Sequence, residues 1–600
     1  MYLLVLYSLL GSFFISIFFG KFFSRRVIGF FTSLCVFFSF LFSIFIFYES
    51  GINHSSCEFC LFSWINIDSL TLSFNFLFDS LTSVMLLIIT FISLMVHVYS
   101  VEYMKNDPHQ IRFFSYLSLF TFFMCILVTS GNFIQLFVGW EGVGIVSYLL
   151  INFWYSRIDA NKSSILAVFV NKIGDISLLV AFSFMFLIYK SLDLNVLFAI
   201  FSVDSVFGSK IDSSYYQLIG FLLVIAAIAK SAQLGLHIWL PEAMEGPTPV
   251  SSLIHAATMV TAGIFLLIRC SFLFHQLPEI CIWIVFIGSI TTFFGSTIGV
   301  YQYDIKKIIA YSTCSQLGYM FLSCGFISYN YGLYHLINHA FFKALLFLSA
   351  GTIIHCFSHE QDFRKMGGFL YVMPFSYISI LIGSFSLMGF PFFSGFYSKE
   401  GILRLFLNYF PNYFNEYFVW FFLCFFFSYV SVILTLIYSL KLIFYVFFQT
   451  YNGFFFNLKI FHYQSLYMMI PLFFLIYFSV FGGFLFFDLF VGAGTDFWND
   501  SMYIPLFDFE YHVFMKTIIG LFFESACNMY IFNFEFFQYM KDLPLFWVLY
   551  FFIVMFIFYF FFFTRYFLFN LNFSSFWVMN LFFFLIVNGF GLKNYFYYLL

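Results

Sequence analysis

Charge is scarce in this chain. Of 600 residues only 9 % are Asp, Glu, Lys or Arg, 28 acidic against 25 basic. Soluble domains are about 45–50 % apolar, whereas this chain is 63 % hydrophobic. A soluble chain of this length would need several times more charge to cover its surface, so a soluble multidomain enzyme and a disordered chain are excluded. No basic patch is clustered enough to bind nucleic acid. No strand leads into a G-x-G-x-x-G turn and there is no P-loop. The eleven cysteines are scattered and cannot hold an iron–sulfur cluster, and no histidine spacing suits a haem or metal. The expectation is a chain without redox cofactor, metal or nucleotide of its own. Cys57-x-x-Cys60, in a polar connection, reads as incidental. A basic segment ahead of the first apolar stretch is also lacking: Lys21, Arg25 and Arg26 follow Met1–Gly20, which therefore reads as a membrane helix and not a cleaved signal.

What is abundant is phenylalanine, with 108 copies, and tyrosine, with 41. Codons for these residues are rich in A and T, so the excess points to an organellar genome or an AT-rich bacterium. Apolar stretches of about 20 residues recur along the whole chain. Spans are expected near Leu3–Phe19, Val27–Phe47, Ser80–Tyr99, Phe113–Ser130, Phe133–Phe153, Ser164–Tyr189, Leu218–Leu240 and Val250–Leu267. Others follow near Ile280–Val300, Ile308–Phe326, Leu333–Ile354, Val372–Phe396, Tyr417–Tyr438, Tyr467–Phe487, Leu545–Phe563 and Phe576–Phe590. The fold class is an all-α polytopic membrane protein of roughly 14–16 transmembrane helices.

Basic residues alternate between connections. The odd-numbered ones hold Lys21, Arg25, Arg26, Lys105, Arg112, Arg157, Lys162, Lys306, Lys307, Arg364, Lys365, Lys441 and Lys459. Up to the twelfth span the even-numbered ones hold only Lys190, Lys210 and Arg269. The positive-inside rule then puts the N-terminus on the outer side.

Charges left inside spans are costly and mark ion or proton paths. They are Glu141, Lys172, Asp175, Lys230, His255, His335, His339, Lys343 and Lys399. His335, His339 and Lys343 recur at i, i+4 and i+8, one helix face with steps of about 6 Å. Such a ladder can pass protons through bridging waters; the plainer reading is three polar groups satisfied by neighbouring helices. Glu141 sits among Gly139, Gly142 and Gly144, small residues that permit close helix approach. Lys230 is its expected partner. A Glu141–Lys230 pair that opens and closes would load and release a proton at the Lys; a static pair would only lock two helices.

Two spans are interrupted, the seventh through Gly235 to Pro241 and the twelfth at Gly389-Phe390-Pro391 and Gly395. Broken helices line hydrated cavities, and breaks at matching positions of two halves point to inverted repeats. Five spans from the fourth to the eighth and five from the ninth to the thirteenth fit that scheme. The expected divisions are N-terminal helices 1–110, a first repeat 111–270, a second repeat 271–450, and C-terminal helices 451–600.

One family combines these features. Gly139-Trp140-Glu141-Gly142-Val143-Gly144, Asn171-Lys172-Ile173-Gly174-Asp175 and Ala229-Lys230-Ser231-Ala232-Gln233 resemble the antiporter-like subunits of respiratory complex I. So do Trp239-Leu240-Pro241-Glu242 through Pro249-Val250-Ser251, Leu253-Ile254-His255-Ala256-Ala257-Thr258, Tyr311-Ser312-Thr313-Cys314-Ser315-Gln316, His339-Ala340-Phe341-Phe342-Lys343 and Gly395-Phe396-Tyr397-Ser398-Lys399. The ordered match runs from Phe78 to Lys399. Arg364-Lys365-Met366-Gly367-Gly368, Gly494-Thr495-Asp496-Phe497 and the long C-terminal region resemble the family's distal member. Gly235 stands where the family usually has Pro, and Lys172 where Arg is common.

The resemblance implies a proton-translocating core subunit driven by NADH:ubiquinone oxidoreduction, with FMN, iron–sulfur clusters and ubiquinone held by other subunits. It implies functional roles for Glu141, Asp175, Lys230, His255, His335, His339, Lys343 and Lys399, with protons entering toward Lys230, passing along His255, bridging waters, His335, His339 and Lys343 in that order, and leaving through Lys399. Partners would be a neighbouring antiporter-like chain 4, accessory subunits and membrane lipids. A lateral surface helix would fall over 508–541. The location would be the mitochondrial inner membrane, N-terminus toward the intermembrane space, or else a bacterial plasma membrane. Two other readings stay open: the large subunit of a multisubunit sodium/proton antiporter, and a non-conducting assembly scaffold.

Overall fold

The computed structural model describes residues 2–68, 70–207, 213–357, 360–370, 372–409, 418–453, 465–492, 497–498 and 501–504. The expected spans at Leu545–Phe563 and Phe576–Phe590, the lateral helix over 508–541, Lys459 and Gly494–Asp496 lie outside these residues. Eleven helices among the described residues are long and apolar enough to cross a membrane.

The chain opens with α1 (Leu4–Phe14) and α2 (Arg25–Ile46). The connection that follows departs from the all-α expectation. It forms an antiparallel hairpin, β1 (Cys57–Ile67) and β2 (Leu70–Phe78), with Cys57 opposite Phe78 and Ile67 opposite Leu70. The cause is legible afterwards: Leu70, Leu72, Phe74, Phe76 and Phe78 alternate with Thr71, Ser73 and Asn75, the period of a half-buried strand. Cys57 and Cys60 on it are both free thiols.

Next come α3 (Ser80–Tyr103), capped by Asp79, then α4 (Gln110–Thr129), α5 (Phe133–Ile151) and α6 (Ile158–Tyr189). A short helix not expected from the sequence, α7 (Leu194–Phe207), precedes α8 (Ser213–Lys230). Then follow α9 (Trp239–Glu242), α10 (Thr248–Ala256), α11 (Met259–Arg269), α12 (Ser271–His275) and α13 (Pro278–Tyr301). The remainder is α14 (Ile305–Gly325), α15 (Tyr329–Cys356), α16 (Pro374–Met388), α17 (Ser394–Tyr409), α18 (Phe418–Ile443) and α19 (Leu466–Phe490).

The layering inverts that of a soluble protein. The span Thr248–Arg269 is wholly buried and helix α15 is buried at every residue but His355, while the N-terminal spans bury only a third of their residues. Most of α14, with its run Tyr311-Ser312-Thr313-Cys314-Ser315-Gln316, is likewise interior. Helices that carry polar groups gather at the centre, because lipid is a poor solvent for those groups and apolar side chains lose nothing by facing it.

Connections gather into two sets. Backbone bridges Phe76–Ser130 and Asn132–Asp193 join the hairpin to the α4–α5 and α6–α7 connections. The bridge Asp304–Asp362 joins the α13–α14 and α15–α16 connections. These groupings follow the alternation of basic residues noted above.

Both expected breaks are present, and a third accompanies them. The seventh span stops at Lys230, where Ala232 and Gly235 take positive φ of 50° and 99°. The eighth divides between α10 and α11 at Ala257–Thr258. The twelfth stops at Gly389, whose φ of 81° is the left-handed cap conformation that glycine adopts without strain. The freed carbonyls find partners: Ala229 O accepts from Trp239 Nε1 at 3.0 Å, Ala232 O from Cys314 Sγ at 3.2 Å, and Leu253 O from Thr258 Oγ1 at 2.6 Å.

Candidate functional site

In the first half, α5, α6 and α8 meet around four charges. Trp140 Nε1 donates to Asp175 Oδ1 at 2.8 Å. The Trp140 carbonyl accepts from Lys230 Nζ at 3.2 Å, and the same ammonium lies 5.2 Å from the Trp140 ring centroid. Lys230 and Asp175 are buried, 2 % and 4 % exposed.

The expected Glu141–Lys230 pair is not formed. Glu141 instead accepts from Lys172 Nζ at 2.6 Å, and Lys172 also lies 3.7 Å from Asp175. The reason is rotational. Successive helical residues point about 100° apart: Trp140 takes the place beside Asp175 and the Lys230 ammonium, and Glu141, carried round, meets Lys172. Lys230 thus joins the acidic pair through Trp140 and not directly. This ion pair also reaches the surface of the chain: the Lys172 side chain is 51 % exposed and that of Glu141 22 %.

The central stretch begins at His255 on α10. Its ring centroid is 6.3 Å from that of Trp239 and 5.9 Å from that of Phe347. Both ring nitrogens are buried without a protein hydrogen-bond partner. One residue on, the Ala256 carbonyl at the end of α10 faces His339 Nδ1 at 3.2 Å, while His339 Nε2 has no protein partner. Lys343 donates to Ser312 Oγ at 2.6 Å. The His335 and His339 rings are 6.5 Å apart.

His335, and not Lys343, touches α17. Its Nδ1 lies 2.8 Å from Ser398 Oγ and its Nε2 3.2 Å from Gln316 Oε1. The neighbouring Lys399 donates to Thr435 Oγ1 at 3.2 Å and lies 5.2 Å from the centroid of the Tyr319 ring. The order from the middle outward is therefore Lys343, His339, His335, Ser398, Lys399. This reverses the order of residue numbers expected along α15. The break at Gly389 is the cause, since it sets the first turn of α17 against the first turns of α15. All five of these groups are at most 1 % exposed.

Several residues escaped the sequence reading. Gln316 and Ser312 are spaced i, i+4 on α14 and face the α15 ladder, a signal present in the polar run of α14. Thr435 carried none. Arg269, counted only as a connection charge, is 1 % exposed and pairs with Asp79 at 2.5 Å, tying the start of α3 to the end of α11. Glu400 and Arg404 form a second buried ion pair one turn apart on α17. Lys306, another connection charge, is buried and donates to the carbonyls of Met244 and Gly246 at 3.3 and 3.1 Å. No cluster of metal-ligating side chains occurs among the described residues.

Comparison with known proteins adds to this geometry. Residues 130–426 match a family described as NADH:quinone oxidoreductase/Mrp antiporter, TM, and residues 64–114 match one described as complex I chain 5 N-terminus. NADH-ubiquinone oxidoreductase chain 5 of Acanthamoeba castellanii is 47 % identical over 597 residues, covering 96 % of this chain and 86 % of its own. That of Chondrus crispus is 46 % identical over 560 residues, 90 % of this chain and 84 % of its own. Among solved structures, the Mrp complex from Dietzia sp. DQ12-45-1b shares the fold with a TM-score of 0.71 at 23 % identity, covering 88 % of this chain and 56 % of that one. An archaeal membrane-bound sulfane sulfur reductase shares it at 0.69 and 18 % identity, covering 83 % of this chain and 98 % of that one.

Proposed function

The chain belongs to the NADH-ubiquinone oxidoreductase chain 5 family, and from that premise we propose how its buried charges work. It is a multi-pass core membrane subunit of complex I that translocates protons. Two antiporter-like repeats over 111–270 and 271–450 build the path. Their correspondence rests on the broken span standing fourth in each set of five, with Lys230 at the first break and Lys399 just past the second.

The proton route runs from the Lys230 region through His255 to Lys343, His339, His335 and Ser398, and leaves through Lys399. The observation that carries it is the second half: His335 Nδ1 lies 2.8 Å from Ser398 Oγ beside Lys399, the His335 and His339 rings are 6.5 Å apart, Lys343 stands one turn on along α15, and all are solvent-excluded. His255 and His339 have ring nitrogens without protein partners, and buried polar atoms of that kind are where water is held in folded proteins. The chain's residues accept, hold and pass protons; the energy comes from NADH oxidation by ubiquinone at flavin and iron–sulfur centres in other subunits. Rearrangement among Glu141, Lys172 and Asp175 changes the field at Lys230 and times its proton transfer.

The face holding Glu141 and Lys172 is apolar around them, with Phe169, Ile173, Ile176 and Ile145 exposed. A half-exposed ammonium amid such a surface is costly against lipid, which supports a neighbouring antiporter-like subunit on α5 and α6. The basic connections face the mitochondrial matrix, and the N-terminus the intermembrane space.

The test is Lys399→Ala in the assembled complex. NADH oxidation coupled to proton movement through this subunit should cease; undiminished proton yield sinks the route. Sodium-driven proton exchange without NADH oxidation would favour the antiporter reading. Retained pumping with both Lys230 and Lys343 neutralised would favour the scaffold.

A further inference from the structure

Two turns along α15 from Lys343, toward the connection that holds Arg364 and Lys365, stands Gly351. A Cβ at this position would lie 2.7 Å from Thr248 Oγ1 and 2.8 Å from the Tyr99 hydroxyl. Glycine is therefore what lets hydroxyls from two other helices, α3 and α10, approach the surface of α15. Tyr99 is 0 % and Thr248 1 % exposed; the Tyr99 hydroxyl has no hydrogen-bond partner in the protein, and the Thr248 hydroxyl stands beside Tyr103. The two hydroxyls lie against Gly351, no farther apart than the roughly 5.5 Å that one water bridges.

Polar groups continue on both sides of this pair. One turn beyond Tyr99, the Tyr103 ring lies 5.2 Å from that of the half-buried His355, near the end of α15. Lys306, through the Met244 and Gly246 carbonyls, fixes the turn that presents Thr248. From Thr248, α10 rises two turns to His255, whose ring nitrogens lack protein partners. From Gly351, α15 runs two turns to Lys343. Both helices thus lead to groups of the proposed ladder.

We propose that Tyr99, Thr248 and Gly351 line a proton inlet from the basic face to His255 and Lys343 that does not pass through Lys230. This rests on the conduction reading above. A proton crosses it by hydroxyl and water relay, each oxygen accepting one proton as it gives up another, with no net chemical change.

The test uses the whole complex reconstituted in liposomes, with protons moved per NADH as the readout. Tyr99→Phe deletes the hydroxyl and keeps the ring. Gly351→Ala sets a methyl group between the two hydroxyls. Each should lower the proton yield by at least half of the loss caused by Lys399→Ala, and raise the solvent isotope effect in heavy water. The double variant removes the clash with the Tyr99 hydroxyl, so any assembly defect of Gly351→Ala should ease while the proton yield stays low. Full yield in Tyr99→Phe, or in the double variant, overturns the inlet. Full yield in Lys399→Ala defeats the conduction reading itself, whereas a low yield there beside a full one in Tyr99→Phe removes the inlet alone.

Discussion

In the first half of the chain Lys172 closes on Glu141 at 2.6 Å and on Asp175 at 3.7 Å. In the second half Lys343 and Lys399 meet the hydroxyls of Ser312 and Thr435, at 2.6 and 3.2 Å, and neither forms an ion pair among the described residues. The same residue type is thus held by anions at the exposed α5–α6 pair and by neutral oxygens in the interior, Lys230 on the Trp140 carbonyl included. Anions hold an ammonium charged, whereas hydroxyls can serve a lysine in either protonation state. On the proposed route the Glu141–Lys172 pair therefore holds charge, and the buried lysines pass it on.

The largest expected effect separates conduction from stability. Lys343→Met keeps the side-chain volume and removes the carrier, so proton yield through this subunit should fall to the level of Lys399→Ala. Stability should hold or rise by about 1 kcal/mol, because an ammonium without a counter-ion leaves the interior. Ser312 is not orphaned, since its hydroxyl also donates to Ile309 O at 2.8 Å. Native gels and thermal inactivation check the stability arm; a complex that fails to assemble would show that Lys343 locks helices instead.

The reverse result is expected where a buried charge does have a partner. Arg269→Ala strands Asp79 at the start of α3, a loss of about 3–5 kcal/mol for a broken buried pair. Assembly should suffer, while the proton yield of whatever complex forms stays whole. A lowered yield in intact complex would place Asp79–Arg269 on the conduction path.

How much of this was legible in the sequence depended on which physical signal each feature carries. The ladder on α15 was legible because i, i+4, i+8 spacing fixes a face by helix geometry alone. The breaks at Lys230–Gly235 and Gly389 were legible because Gly and Pro announce them. The partner of Glu141 was not, since a helix can present either residue 140 or 141 to a given neighbour and nothing local says which. The break at Ala257–Thr258 carries no Gly or Pro; the Thr258 hydroxyl on the Leu253 carbonyl and His339 facing the Ala256 carbonyl hold it. The hairpin was missed because its alternation is short beside the apolar runs around it. Arg269 and Lys306 were misjudged because a basic residue beside a span reads as a surface charge until the fold shows it buried.

A smaller effect tests the charge-holding role of the Glu141–Lys172 pair. Glu141→Gln removes the charge and keeps the shape, leaving Lys172 on Asp175. Because the pair is partly exposed, stability should change by about 0–1 kcal/mol. Proton yield should fall while NADH oxidation persists, as the timing of Lys230 is lost. Lys172→Met should produce the same uncoupling if the two act as one unit; wild-type coupling in both would reduce the cluster to a helix clamp.

The smallest effect belongs to the connections, which supply the control for both halves. Burial pushes the Asp362 carboxyl upward, but hydrogen bonds from Arg364, at 2.6 Å and longer, outweigh it and hold the carboxyl below its usual range. A carboxyl lowered in the folded state contributes its stability in full above the unfolded value of about 3.9. That contribution fades only as pH drops through the lowered folded value. Across pH 6–8 the pair is therefore constant, and with Arg364 half exposed it is worth about 0–1 kcal/mol. Asp362→Asn should shift thermal inactivation of the complex slightly, by the same amount at every pH in that range, with proton yield untouched. A pH-dependent change in proton yield from this substitution would mean that the basic connections, and not the buried ladder, govern when protons are taken up.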